Sequence, residues 1–268
     1  MIIPAQQYTR AVQDICPYFI SANLAFYLTE QLFEGISFEN KNVLDIGAGV
    51  GIYGLYAAAR GARRVDLLEP EMDGSSEDMI NRLNAIKKSL SLDNAFHIKS
   101  TFQNFESVTK YDIILSHNSI NHFNEEACAG LLENSESLKY FNDVIFKKLS
   151  RITEKNGLLI LADAGRTNFF GMLGLRSPFA RSIEWRIHQD PSTWAQLLEP
   201  FGFKREKLRR TSFNTLRTLG TTLTNNIVSS FFTHSHFILY LDKTGGDATG
   251  EKIEGYCTTL FRQHERWR

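Results

Sequence analysis

Apolar positions along the chain follow two spacings. Ile20, Leu24, Tyr27, Leu28 and Leu32 recur every three to four residues, the repeat of a helix with one buried face, and residues 1–38 read as helical and amphipathic. From Lys41 the pattern changes to short apolar runs at 43–46, 65–68, 96–100, 111–115 and 158–162. Between them lie stretches with helical spacing, one through Met79, Leu83, Ile86 and Leu90, another through Leu138, Phe141, Ile145, Leu149 and Ile152. Ser75 or Ser76 is placed to cap the first, and Asn156-Gly157 to end the second. Strands alternating with helices in this way predict a parallel sheet covered by helices.

The alternation loosens after residue 165. Residues 166–191 have little periodicity and carry Arg166, Arg176, Arg181 and Arg186 against Glu184 and Asp190. A helix is expected from Pro191-Ser192, burying Trp194, Leu197 and Leu198 and stopping at Phe201-Gly202. Strand-like segments follow at 203–208 and 236–241, with a stretch rich in Thr, Ser and Asn at 211–232 between them. There is no internal repeat. The expected organisation is an N-terminal helical cap segment (1–38), one α/β domain (39–241) with insertions at 166–191 and 211–232 that are lid candidates, and a polar tail (242–268).

Composition narrows the picture mainly by exclusion. The 268 residues suit one elaborated domain, and 30 basic against 30 acidic side chains leave no net field for nucleic acid or acidic lipid. Cys16, Cys128 and Cys257 are odd in number and far apart, which argues for a reducing compartment. The first residues lack the pattern of a signal peptide, and no apolar run approaches a membrane span. A soluble, cytoplasmic protein is expected, with neither nucleic acid nor membrane as partner.

The most informative stretch is VLDIGAGVGIYG, residues 43–54. A strand runs into glycines and then a helix, the arrangement by which open α/β sheets hold a nucleotide-like cofactor. Read from Gly49, the glycines at 49, 51 and 54 fit a dinucleotide fingerprint. That reading buries Asp45 in the strand and leaves Gly47 unexplained. Read from Gly47, the pattern is Asp45-x-Gly47-x-Gly49-x-Gly51, and an acid at the strand end suits a ligand with a positively charged amino group while repelling a diphosphate. Glu69, closing the second strand, is placed to accept hydrogen bonds from ribose hydroxyls, a feature both cofactor types share.

The Asp45–Gly51 run resembles motif I of class I S-adenosylmethionine (SAM) methyltransferases of the small-molecule type. The resemblance covers roughly residues 40–240, most specifically at the first two strands. It implies a Rossmann-like seven-stranded, mostly parallel sheet with helices on both faces, in which a final antiparallel strand inserts beside the fifth. It also implies SAM as cofactor and S-adenosylhomocysteine as product.

Carried onto this chain, the resemblance places Ser116 and Asn118, at the end of the fourth strand, beside the cofactor's methionine part. Thr101 or Gln103 would accept from the adenine amino group where many relatives have an acid, with Phe102 packed on the ring. His122 and His188 are candidate bases, with Asp163 behind them. Tyr8, Tyr18, Trp185 and Arg186 are the expected substrate contacts, and the lid arginines suggest a carboxylate or phosphate on the substrate. The Ser116-His117-Asn118-Ser119 run lacks the proline-containing tetrad of base N-methylating enzymes. Glu125 and Glu126 are adjacent and diverge, a poor guanidinium clamp. His234-x-His236 offers too few ligands for zinc, so no metal is expected.

The reaction these residues suggest is in-line methyl transfer to an oxygen or nitrogen of a small metabolite, anionic if the arginines face it. Displacement of methylthioadenosine by the same fold, an NAD-dependent dehydrogenase and a non-catalytic SAM-binding protein are the alternatives.

Overall fold

Val43, Leu44 and Ile46 are buried on β1 (Asn42–Ile46), a short strand with neither face open to water. Such a strand belongs at the centre of a sheet covered on both sides. The computed structural model describes residues 2–70, 76–181, 183–211 and 225–245. Before β1 come α1 (Ala5–Ile15) and α2 (Ser21–Phe26), the latter continued by a π-helical turn, Tyr27–Leu32. After it follow α3 (Ile52–Ala59), β2 (Arg64–Leu68), α4 (Ser76–Ser89), β3 (Ala95–Ile98) and β4 (Tyr111–His117). Next are α5 (Glu125–Ala129) and a long helix, α6 (Ser135–Tyr140), that passes through a second π-helical turn into α7 (Lys147–Ile152). β5 (Thr153–Ala164), α8 (Phe169–Met172), α9 (Pro191–Leu198), β6 (Phe203–Arg210), a short helix Ile227–Phe232 and β7 (His236–Lys243) complete the order.

The seven strands form one sheet in the order β3-β2-β1-β4-β5-β7-β6, parallel except that β7 runs antiparallel to both β5 and β6. This is the sheet the sequence predicts, with the antiparallel strand beside the fifth. Two apolar layers cover it. Tyr8, Leu28, Leu55 and Leu83 belong to one, and Phe141, Phe146, Trp194 and Phe237 to the other. The strand order reverses between β1 and β4, so their carboxyl ends diverge into a crevice, the position at which open α/β sheets bind ligands.

One boundary differs from expectation. The long helix stops at Ile152, and Asn156-Gly157 lies inside β5 rather than closing the helix. Tyr111 pairs with Thr153 but Ile113 already pairs with Leu158, so the extra residues bulge from the ladder. Asn156 takes a positive φ of 64°, and a Cβ on Gly157 would lie 2.8 Å from the Glu154 carbonyl. Asn-Gly marks a sharp backbone turn, and the sequence alone does not say whether a helix or a strand makes it. Ser75, most of the 211–232 insertion, nearly all of the tail and Cys257 fall outside the described residues.

Candidate active site

The glycine loop is built by what presses on it. Gly47 has φ 70°, and a Cβ there would sit 2.5 Å from Ser119 Cβ, so the segment after β4 packs directly on the loop. Gly49 has φ 54° and open space where its Cβ would be, and its amide donates to Glu69 Oε2 at 2.8 Å. A cradle lined by backbone and one carboxylate therefore opens above the loop.

Asp45 lies beneath the first turn of α3. Its Oδ2 accepts the Gly54 N–H at 2.9 Å, while Oδ1 is buried without a partner. Burial pushes the carboxyl up to about 7, against the pull of the Gly54 amide, and the nearby Glu69 charge adds to the rise. Gly54 is explained by this contact and not by a diphosphate: a Cβ there would meet Leu67 Cδ2 at 2.3 Å and Asp45 Oδ2 at 2.9 Å. Gly54→Ala is expected to cost about 1–3 kcal/mol by overpacking, read as a lower urea midpoint.

Beside the loop, beyond the ends of β4 and β5, lies a cavity of about 920 Å³. Phe19, Ile20, Leu24 and Tyr27 from the N-terminal segment form one wall, and Phe179, Ile183 and Ile187 another. Five of the chain's seven histidines line it: His117, His122, His188, His234 and His236. His117 stacks on Tyr53 at 4.0 Å and its Nε2 lies 2.8 Å from the Tyr27 hydroxyl. Burial drives His117 well below its ordinary pKa, with His236 adding to the effect, and pushes His236 itself down to about 4. Both rings are therefore neutral near pH 7.

His188 and Asp163 form the buried polar pair of this cavity. The ring Nδ1 lies 3.3 Å from Asp163 Oδ1 and 2.8 Å from the Asn121 amide nitrogen. Asp163 Oδ1 also accepts the Ala164 N–H, and its Oδ2 is buried without a partner. His122 lies across from His188, ring centroids 6.4 Å apart, and is paired with Glu125 at 2.8 Å near the mouth. The expected trio of His122, His188 and Asp163 is thus gathered in one wall, His122 half-exposed and the other two buried.

Several other expected contacts lie elsewhere. Tyr8 is fully buried: its hydroxyl donates to the Ile52 carbonyl and its ring meets Tyr56 edge-on at 5.3 Å, so it fastens α1 to α3 behind the site. Trp185 is buried against Gly171, and Arg186 points to solvent 3.6 Å from Glu184; neither lines the cavity. Tyr18 does, and is exposed at the mouth. No Lys or Arg belongs to the described lining, so the guanidinium grip on an anion is absent from this wall.

On the cofactor side, Asn118 lines the cavity with φ 52°, its amide donating to the Ala162 carbonyl. Ser116 is bonded to Ser119, which donates to the Ile46 carbonyl, so this pair braces the loop. Phe102 is buried and stacked on Phe123 at 5.3 Å, Gln103 donates to the Phe123 carbonyl, and Thr101 caps the Asn104 amide. Those rings and amides are committed to the fold. Tyr27, Tyr53, His117 and His236 were not expected in the site. The signals were present, His117 in the strand-end run and Tyr53 in the glycine loop, but Tyr27 reads as core by its spacing. Among the described residues no group of three His, Cys, Asp or Glu side chains is placed to hold a metal ion, and no helix is long and apolar enough to cross a membrane.

Comparison with known proteins agrees with this geometry. A family model described as a methyltransferase domain matches residues 12–208. The chain is 36% identical over 80 residues to protein arginine N-methyltransferase 6 of Danio rerio, a match spanning 30% of this chain and only 22% of that protein. A SAM-dependent methyltransferase from Aquifex aeolicus shares the fold with a TM-score of 0.51 at 16% identity, covering 87% of this chain and 98% of that one. StiE O-MT does so with a TM-score of 0.53 at 13% identity, covering 94% and 87%. The residues at hand fit the cofactor, through the open cradle at Gly49, the Glu69 carboxylate beside it and the unpartnered Asp45 oxygen beneath. The chain belongs to the class I methyltransferase family, whose members take SAM as methyl donor and leave S-adenosylhomocysteine.

Proposed function

We propose that this enzyme methylates a hydroxyl group of a small, uncharged, ring-containing molecule, with His188 and Asp163 removing the proton. The observation that carries this reading is the buried His188–Asp163 pair in a cavity whose described wall holds aromatic rings and histidines but no Lys or Arg. An anionic substrate, which the lid arginines suggest in sequence, would meet Glu125, Glu184 and Asp163 there instead. Phe19, Tyr27, Tyr53 and Phe179 offer faces and edges for a planar molecule.

When bound, SAM supplies a methyl group made electrophilic by a sulfonium. Glu69 would hold the ribose hydroxyls, and Asp45 would receive the positive charge of the methionine amino group at the oxygen that now lacks a partner. Asn118, at the end of β4, would face the methionine part and separate it from the substrate wall. A half-turn of the Asn121 amide would set its oxygen, in place of its nitrogen, against His188 Nδ1; the ring proton would then sit on Nδ1, facing Asp163 as well, and Nε2 would be the acceptor for the substrate hydroxyl. The apolar walls exclude water and fix the approach of the nucleophile. The guanidinium substrate named for the arginine N-methyltransferase relative fits poorly, because Glu125 lines the cavity but Glu126 does not.

The test is a panel of phenols, catechols and hydroxylated heterocycles, each beside its carboxylated counterpart, with tritiated methyl donor. Methyl ethers of the uncharged members are expected, with S-adenosylhomocysteine as co-product. Preference for the carboxylates, or release of methylthioadenosine in place of S-adenosylhomocysteine, would refute the reading.

A further inference from the structure

Of the twelve large apolar side chains exposed among the described residues, seven lie in two segments, 172–179 and 227–232, with Met172, Ile227 and Val228 each more than 60% exposed. The two segments form one patch. The Phe169 ring of α8 lies 5.0 Å from Phe232 and 6.1 Å from Phe231, and Phe170 lies 6.3 Å from Phe179. The patch is held from below by Asn168, fully buried, whose amide donates to the Thr233 carbonyl and the Ser235 hydroxyl while its oxygen caps α8. Asn226 caps the second helix in the same way. These are fixed tips.

Their charge is one-sided. Between 167 and 181 the charged residues are Arg176 and Arg181, both exposed and neither paired with an acid among the described residues, and 225–235 contains no Asp, Glu, Lys or Arg. We propose that this patch docks the enzyme on the surface of an anionic lipid bilayer. Exposed Leu, Met, Phe and Ile side chains suit the boundary between headgroups and acyl chains, while flanking guanidinium groups stay at the phosphates. A protein partner of ordinary composition would place both signs of charge opposite such a patch, and neither described segment, 167–181 or 225–235, carries an Asp or Glu to meet its cations. The chain's balanced total charge does not oppose this, because the attraction is local. Nor does the lack of a spanning helix, since a surface contact needs none. Phe179 belongs to both the patch and the cavity wall, so the docked enzyme opens its cavity toward the lipid. The inference does not depend on which atom is methylated.

The experiment is flotation of the full-length protein with vesicles of phosphatidylcholine containing about one-third phosphatidylglycerol, and with phosphatidylcholine alone. Co-flotation with the anionic vesicles is expected, weakened by salt and by omission of the anionic lipid. Leu173→Glu with Leu175→Glu, and separately Arg176→Glu with Arg181→Glu, should each lower the partition coefficient about tenfold or more. Both pairs lie on exposed tips and should leave circular dichroism and S-adenosylhomocysteine affinity unchanged. No flotation with either vesicle, or flotation indifferent to both pairs, would overturn the proposal. So would a wild-type dimer in sedimentation that the leucine pair abolishes, since the patch would then belong to a second copy.

Discussion

Replacing Asp45 by Asn is expected to weaken S-adenosylhomocysteine binding by about thirtyfold or more and to change the slope of the cofactor-free protein's stability between about pH 4 and 7. Both effects come from one oxygen. Oδ1 is buried without a partner, and burial holds the folded carboxyl at about 7. An unfolded Asp gives up its proton near pH 4. Between those values this carboxyl binds more proton in the folded state than in the unfolded one, so its own contribution to stability falls as the pH rises, by roughly 4 kcal/mol over the window; the depressed His117 and His236 contribute with the opposite sign. The penalty is absent below about pH 4 and complete above about pH 7. Asn keeps a carbonyl for the Gly54 amide and carries no charge to desolvate, so this contribution to the slope should vanish and the slope should shift toward stability rising with pH. The ligand's ammonium would relieve the same penalty, and its binding near pH 6 should release a proton, seen as binding enthalpies that vary with the buffer. Urea midpoints of Asp45→Asn that keep the wild-type slope would contradict this account of Oδ1.

His188→Ala is expected to lower turnover by about 10²–10⁴-fold with affinity for S-adenosylhomocysteine unchanged. The ring is buried against Asp163 and lies in the substrate wall, away from the glycine loop. Asp163→Asn removes the negative charge beside the ring and should cost nearly as much, because the imidazolium formed when the ring takes the substrate proton loses its counter-charge. A substrate series separates this from a packing defect. The loss in His188→Ala should shrink for phenols acidic enough to arrive ionised, which need no base. An equal loss across the series would mean a packing defect, and no loss for any member would place the base elsewhere, with His122 the next candidate because it lines the same wall.

The sheet was legible because its signals are local. Runs such as 43–46 and 111–115 state their burial in four or five consecutive residues, and the order of elements then admits few topologies. The glycine loop was legible for the same reason: Asp45, Gly47, Gly49 and Gly51 form one motif, and Glu69, which meets the Gly49 amide, closes the next strand. The cavity wall was not, because it is assembled from distant segments. Tyr27 has the spacing of a core residue and its hydroxyl meets His117, 90 positions on. The lid arginines illustrate the limit of composition. Their number is visible in sequence, but Arg186 turns to Glu184 and the charge never enters the cavity. Phe102 failed similarly, since an aromatic ring in the right place found Phe123 before any ligand.

The central claim is a division of labour, with the donor held at the ends of β1 and β2 and the proton handled between β5 and the segment that carries His188. Calorimetric titration with S-adenosylhomocysteine of the wild type, Glu69→Ala and His188→Ala tests it most directly. The account predicts one site, weakened about 10- to 100-fold in Glu69→Ala through loss of charge-assisted hydrogen bonds and unchanged in His188→Ala. Equal affinity in wild type and Glu69→Ala, or a loss in His188→Ala as large as that in Glu69→Ala, would contradict it.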